Sequence, residues 1–208
     1  MLLFLVLALF VGAPLAAMGV VGSFLFNLLF SLLLLSGVVA VAGRRGHAAG
    51  VFVVVAAALC VRWVGHAAPG SAMFFWDNAL SILSLSALTG LLLTQVFREG
   101  PITGHRIQGA IAVYLLIALV WASAYELIHA ALPGAFQFAS SVPGSSRTGH
   151  GLVYYSLVTL TTVGYGDITP VHPLARSLAT AEALIGQLYP AILIARLVSM
   201  EVESRSRP

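Results

Sequence analysis

The chain has 208 residues, of which 60% are hydrophobic and only 8% are charged. Because an ordinary soluble domain is about 25% charged, this composition excludes a soluble enzyme, a disordered segment and a nucleic-acid-binding domain. The formal net charge of +3 reflects a shortage of charges rather than a basic patch, and a membrane protein is the class that remains.

Six long apolar runs follow one another along the chain, and each is close to the length of about 20 residues that a membrane-spanning helix needs. The first could instead be a secretory signal peptide, since small residues follow its apolar part, but no positive charge precedes it. We therefore predict an all-α membrane protein with six transmembrane helices, at about residues 2–21, 23–42, 48–65, 73–97, 107–132 and 174–200.

A shorter apolar pattern lies between Gly151 and Thr161, just before the last long run. A helix of about 10–14 residues is too short to cross a bilayer and is typical of a re-entrant or interfacial segment. This segment leads directly into the string Thr162-Val163-Gly164-Tyr165-Gly166-Asp167.

The five residues that begin with Thr162 resemble the selectivity filter of potassium channels, in which backbone carbonyl groups replace the hydration shell of K⁺. Carbonyl groups that all face one axis need backbone angles that alternate in handedness, and Gly164 and Gly166 can adopt a positive φ without steric cost. The resemblance implies that K⁺ is bound by the carbonyl oxygens of Thr162, Val163, Gly164 and Tyr165, with the hydroxyl group of Thr162 as a further ligand. It implies no organic cofactor.

The resemblance extends to the pore helix before the filter and covers about residues 107–200. Tyr155 stands where many family members carry a tryptophan that hydrogen-bonds the aspartate after the filter, here Asp167, so Gly166, Asp167 and Tyr155 are expected to support the filter. Val158 replaces a buried glutamate of some bacterial members, and we therefore expect no carboxyl pair behind the filter.

The last helix is expected to line the inner pore. Gly186 follows Gly166 by 20 residues, which is the spacing at which family members place a gating hinge. Pro190 should kink this helix because it removes a backbone hydrogen bond. Helical spacing from the hinge predicts one pore-lining face, formed by Gln187, Pro190 or Ala191, Ile194 and Val198.

The chain carries one filter segment, residues 162–166, whereas the family's pore needs four. The resemblance therefore implies a homotetramer. We interpret the chain as a potassium-selective channel, not an enzyme, that conducts K⁺ passively across the plasma membrane, the inner membrane of a bacterium. The expected partners are K⁺, membrane lipid and identical subunits, without nucleic acid or a small-molecule substrate. Two alternatives remain open: a weakly selective cation channel, and a non-conducting scaffold or sensor that retains the pore fold. The filter string alone could also be an edge strand with a turn, although its surroundings disfavour that.

The distribution of arginines agrees with the orientation that the resemblance implies, in which both chain termini are cytoplasmic. Cytoplasmic loops are enriched in basic residues. In this orientation two loop arginines, Arg147 and Arg176, fall outside, and six fall inside: Arg44, Arg45, Arg98, Arg106, Arg205 and Arg207.

Residues 1–99 resemble the four-helix sensor domain of voltage-gated channels, and residues 100–208 form the expected pore domain. A voltage sensor carries several arginines on its fourth helix, but the run at 73–97 contains none. We therefore expect a channel that is not voltage-gated. Because eight residues follow Met200, we expect no cytoplasmic sensing domain, and regulation should come from the membrane, the filter, pH or a separate partner.

Charged residues inside a membrane are costly and are usually paired. We expect a salt bridge between Arg62 and Asp77 that joins the third and fourth helices, with a sensor role or snorkelling of the side chains as alternatives. A second pair, Glu126 with Arg176, is expected near the outer ends of the last two helices.

Two titratable side chains near the filter have two interpretations each. Glu182 either hydrogen-bonds behind the pore helix or faces the cavity. His172, just beyond the filter, is either a solvated loop residue or a proton sensor, because histidine titrates near neutral pH.

Overall fold

A computed structural model describes residues 1–16, 20–41, 48–67, 70–98, 103–139 and 151–206. Helices account for nearly all of these residues, and two short strands flank the filter segment. In chain order the elements are α1 (Leu2–Leu7), a π-helical turn (Ala8–Gly12), α2 (Ala13–Ala16), α3 (Val20–Val41), α4 (Ala48–Ala67), α5 (Ser71–Val96), α6 (Gly104–Ala131), β1 (Phe136–Phe138), α7 (Gly151–Leu160), β2 (Ile168–Pro170) and α8 (Pro173–Ser206).

The membrane class predicted from the sequence is confirmed. Within the described ranges, four helices are long and apolar enough to cross a membrane, namely α3, α5, α6 and α8. Three shorter apolar segments accompany them, at Leu2–Ala16, Phe52–His66 and Gly151–Leu160. The chain is thus a multi-pass, all-α membrane protein, while the count of six crossings stays a prediction.

The core of the chain lies between α5 and α6, with α1, α3 and α4 packed around it. Leu85 and Leu88 of α5 and Val113 and Leu116 of α6 are fully buried in it. Gly37 of α3 lies so close to α5 that an added Cβ would come within 2.8 Å of Leu88 Cδ1. Burial of aliphatic side chains therefore joins the first half of the chain to α6.

Two short antiparallel strands connect the end of α6 to the segment after the filter. Phe136 of β1 pairs with Pro170 of β2, and Phe138 pairs with Ile168. Beside the strands, the backbone N–H of Ala139 donates to the Asp167 carbonyl at 2.8 Å. The sheet therefore attaches the end of the filter segment to α6. Residues 140–150, including Arg147, lie outside the described residues.

Arg62 of α4 is surrounded by polar and aromatic partners from the neighbouring helices. Its Nη2 lies 3.2 Å from Asp77 Oδ2 and donates to Ser81 Oγ at 3.1 Å, while Nη1 donates to Asn27 Oδ1 at 3.1 Å. The guanidinium carbon lies 3.9 Å from the ring centroid of Phe30. The expected salt bridge is confirmed, and it joins α3, α4 and α5.

The expected pair between Glu126 and Arg176 is wrong, since Arg62–Asp77 is the one ion pair within the described parts of the chain. Arg176, in the first turn of α8, donates from Nε to the Pro170 carbonyl at 3.0 Å. This bond holds the Arg176 side chain against β2.

Replacement of Arg62 should show that this ion pair is structural. We expect Arg62→Met to lower the free energy of unfolding by about 3 kcal/mol, because it leaves the Asp77 carboxylate unpaired. Adding Asp77→Asn to that variant should restore much of the loss. Unfolding in mixed detergent micelles measures both effects. A loss in the double variant equal to the sum of the losses in Arg62→Met and Asp77→Asn would contradict the pairing.

Candidate functional site

The filter segment has a backbone of alternating handedness. Thr162, Gly164 and Gly166 have φ values of 59°, 59° and 78°, whereas Val163 and Tyr165 between them do not have a positive φ. Thr162 is the one non-glycine residue with a positive φ in the ranges that the structure describes. This alternation is the one that a row of carbonyl groups facing a single axis requires, and both glycines stand at left-handed positions.

The backbone N–H groups of the filter segment turn towards α7. Thr162 donates to the Thr159 carbonyl at 2.9 Å, and Val163 donates to the Val158 carbonyl at 2.9 Å. Gly164 N also reaches the Val158 carbonyl, at 3.4 Å. Among the described residues, no backbone N–H donates to the carbonyls of residues 162–165, and these residues are exposed. Their carbonyl oxygens are therefore available to a cation.

The hydrogen bond expected from Tyr155 to Asp167 is made by its neighbour, so that prediction is wrong by one position. The hydroxyl group of Tyr154 donates to Asp167 Oδ2 at 2.8 Å, and its ring lies parallel to that of Tyr165, with centroids 6.4 Å apart. Tyr155 is buried on the opposite side, with its ring against Tyr125 and Phe136. Consecutive helical residues point about 100° apart, so only one of the two tyrosines can face the filter.

Glu182 of α8 lies behind the pore helix α7, as one of its two interpretations predicted. It is fully buried, and its Oε2 accepts a hydrogen bond from the Tyr125 hydroxyl group at 2.6 Å. Its Oε1 is hydrogen-bonded to Ser156 Oγ, which also lies 2.7 Å from the Ala118 carbonyl oxygen. This buried network joins α6, α7 and α8.

The serine hydroxyl group in this network has one hydrogen and two acceptors within reach. A hydroxyl group donates one hydrogen bond, and an ionised carboxylate donates none. If Ser156 donates to the Ala118 carbonyl, the contact with Glu182 is satisfied when the carboxyl group carries a proton and donates to Ser156 Oγ. In that arrangement a neutral Glu182 donates to Ser156 and accepts from Tyr125, whereas an ionised Glu182 would accept from both.

Gly186 allows α8 to approach the end of α7. A Cβ on Gly186 would overlap the carbonyl oxygen of Leu160, the last residue of α7. The hydroxyl group of Tyr114 donates to the same carbonyl at 3.1 Å. The close contact gives a packing reason for glycine at this position, and the gating hinge stays a prediction.

The residue after this contact, Gln187, reaches the filter. Its Nε2 donates to Thr162 Oγ1 at 2.7 Å. On the predicted pore-lining face, Gln187, Ala191, Ile194 and Val198 are exposed, whereas Pro190 is half-buried. α8 continues through Pro190 to Ser206.

His172 caps the start of α8. Its Nδ1 accepts a hydrogen bond from the backbone N–H of Leu174 at 3.2 Å, and the backbone N–H of His172 donates to the Ala135 carbonyl at 3.2 Å. The imidazole is exposed. This bond needs an Nδ1 atom without a proton, because only then can the ring nitrogen accept. A sensor role for His172 stays a prediction.

A family model described as "Ion channel" matches residues 112–203. The chain is 30% identical over 118 residues to Protein LctB of Bacillus caldotenax, covering 55% of this chain and 86% of that protein. It is 37% identical over 84 residues to two pore potassium channel c of Oryza sativa subsp. japonica, covering 40% of this chain but only 18% of that protein.

A third relative is the inward rectifier potassium channel Kirbac3.1 of Paramagnetospirillum magnetotacticum, which is 35% identical over 77 residues. The alignment covers 37% of this chain and 22% of that protein. The chain thus spans less than a quarter of each of the two relatives whose names include a potassium channel. No solved structure matches the chain.

Two substitutions of Glu182 should separate a neutral carboxyl group from a charged one. In Glu182→Gln the amide can donate to Ser156 and accept from Tyr125, so we expect the free energy of unfolding to change by less than about 1 kcal/mol. Glu182→Leu removes the bonds to both side chains, leaves the buried Tyr125 hydroxyl group without a partner, and should cost roughly 2–4 kcal/mol. Unfolding midpoints in detergent measure both. Equal destabilisation by Gln and Leu would mean that the site requires the carboxylate.

Proposed function

Because the chain belongs to the ion channel family whose model covers residues 112–203, we propose that it is a potassium-selective channel. It conducts K⁺ passively across the plasma membrane as a homotetramer. Two of its relatives are named as potassium channels, which supports K⁺ as the permeant ion.

The alternating backbone of the filter segment is the observation that carries this proposal. Thr162, Gly164 and Gly166 have left-handed backbone angles. Within the described ranges, no backbone N–H donates to the carbonyl oxygens of residues 162–165. K⁺ sheds water onto the carbonyls of residues 162–165 and onto the Thr162 hydroxyl group, and ions move from site to site by knock-on. The carboxyl end of α7, at Leu160, adds a partial negative charge that favours a cation below the filter.

The uncovered surface of α8 supports assembly into a tetramer. Only 11% of its apolar span is buried within the single chain, against 44% for α6. The side chains of Val163 and Tyr165 are 52% and 71% exposed, although a filter needs lateral support. Four copies around one axis would cover these surfaces with neighbouring subunits and bring four filter segments together.

The topology that we propose has six crossings, with both termini cytoplasmic and the filter facing outward. Residues 1–99 form the sensor-like domain, and residues 100–208 form the pore domain. The basic residues of the inner loops support this orientation, among them Arg98 and Arg106 at the junction between α5 and α6. Arg44, Arg45 and Arg207 lie outside the described residues.

Flux through reconstituted protein tests the proposal. We expect thallium to enter liposomes that contain the protein, and we expect Gly164→Ala to lower this flux at least about ten-fold, because a Cβ is strained at a positive φ. The matched control is Gly90→Ala in α5, where a Cβ would meet nothing within 4 Å, and it should conduct normally.

The reversal potential in mixed Na⁺ and K⁺ then separates the alternatives. A value close to the K⁺ equilibrium potential supports a selective channel. A value near zero would indicate a weakly selective cation channel, and the absence of flux across lipid compositions and pH values would favour a non-conducting scaffold.

Voltage should have little effect on the open probability. α5 contains no arginine, and the one arginine of α4, Arg62, is held by Asp77, Asn27 and Ser81. Because these helices carry no mobile charge, a change in membrane potential moves little gating charge across the membrane. We expect a shallow conductance–voltage curve in symmetric K⁺, and a steep one would contradict this.

A further inference from the structure

The side chain of Gln187 connects α8 to the first residue of the filter. Its Nε2 donates to Thr162 Oγ1 at 2.7 Å, across 25 residues of sequence. Gly186 brings α8 against the end of α7 just before it, so the backbone that carries Gln187 is held close to the filter. The hydrogen bond therefore links two elements whose separation is set by packing.

Thr162 is the residue of the filter whose conformation most needs support. A β-branched residue at a φ of 59° is strained, and such strain persists only where several neighbouring contacts hold it. Its backbone N–H is bonded to Thr159, and its side chain is bonded to Gln187. Gln187 thus fixes the orientation of the hydroxyl group that stands at the inner end of the filter.

We propose that Gln187 is a positioning residue that weakens cation binding at the innermost ion site by acting on the Thr162 hydroxyl group. The inference rests on the proposed potassium-channel function. A hydroxyl oxygen has two lone pairs, and the amide N–H occupies one of them. The N–H also places its positive end beside the oxygen that would face the ion. The innermost site therefore holds a cation less tightly.

Weak binding at this site has a direct consequence for conduction. An ion must bind strongly enough to leave water but weakly enough to move on. The innermost site is where an ion passes between the filter and the cavity below it. The amide of Gln187 thus favours rapid exchange of ions between the two.

Block by Ba²⁺ from the cytoplasmic side tests this inference, since Ba²⁺ is close to K⁺ in size but carries twice the charge. We expect Gln187→Met to lower the half-blocking Ba²⁺ concentration about five-fold, the range expected for one hydrogen bond. The matched control is Gln95→Met, the same replacement on α5, which should leave block unchanged. Unchanged or weaker block in Gln187→Met would overturn the inference.

Two backgrounds at position 162 show whether Gln187 acts through the hydroxyl group. In Thr162→Ser the hydroxyl group is kept, and the effect of Gln187→Met should persist. In Thr162→Val it is absent, and Gln187→Met should change the half-blocking concentration by less than about two-fold. An effect of equal size in both backgrounds would show that Gln187 acts independently of Thr162.

A measurement that needs no current covers variants that do not conduct. In protein with ¹⁵N-labelled glutamine, the side-chain NH₂ signal of Gln187 is identified by its loss in Gln187→Met. We expect it to shift in Thr162→Val and when K⁺ replaces Na⁺. A signal that responds to neither change would overturn the inference. A signal that responds to K⁺ in protein without thallium flux would refute conduction while leaving the ion site and its positioning residue in place.

Discussion

Backbone that is neither helix nor sheet is costly at membrane depth, because its polar groups have no water to bind. The filter segment fits this constraint in part, since the N–H groups of Thr162, Val163 and Gly164 turn towards α7 while the carbonyl oxygens face away from backbone donors. The left-handed angles at Thr162, Gly164 and Gly166 separate donors from acceptors in this way. Much of the surrounding structure serves to hold that one conformation.

The support reaches the filter segment from both ends and from behind. At one end the β1–β2 sheet and the bond between Tyr154 and Asp167 hold the residues after the last glycine. Behind it, Glu182 joins the pore helix to α6 and α8. At the other end Gln187 bonds to Thr162. Because these contacts come from four separate elements, the filter conformation depends on the packing of the whole second half of the chain.

The sequence predicted the helices well, because a long apolar run has few other structures open to it in lipid. The long helices α3 to α6 and α8 begin within three residues of the predicted runs. The filter string was recognisable, and its glycines stand where the backbone is left-handed. The Arg62–Asp77 pair was also predictable, because an intramembrane charge needs a partner on a neighbouring helix.

What the sequence did not predict depends on rotation about a helix axis or on contacts between distant segments. The resemblance placed Tyr155 beside Asp167, but the rotation of α7 about its axis brings Tyr154 there instead. The strands have three residues each, and their pairing gives no signal within either segment. The bond from Arg176 to the Pro170 carbonyl of β2 was likewise not predicted. The bond between Gln187 and Thr162 could be predicted only from the distance between α8 and the filter, which the sequence does not give.

The position of Arg62 also has a consequence for how the protein enters the membrane during synthesis. A lone arginine in a membrane-spanning helix raises the free energy of insertion, by about 2.5 kcal/mol or more at the helix centre, and Arg62 lies in the last two turns of α4. Its partner Asp77 lies on the next helix, 15 residues later. If α4 and α5 leave the translocon as a hairpin, the two charges meet before either faces hydrocarbon, and the pairing lowers the cost of inserting both helices.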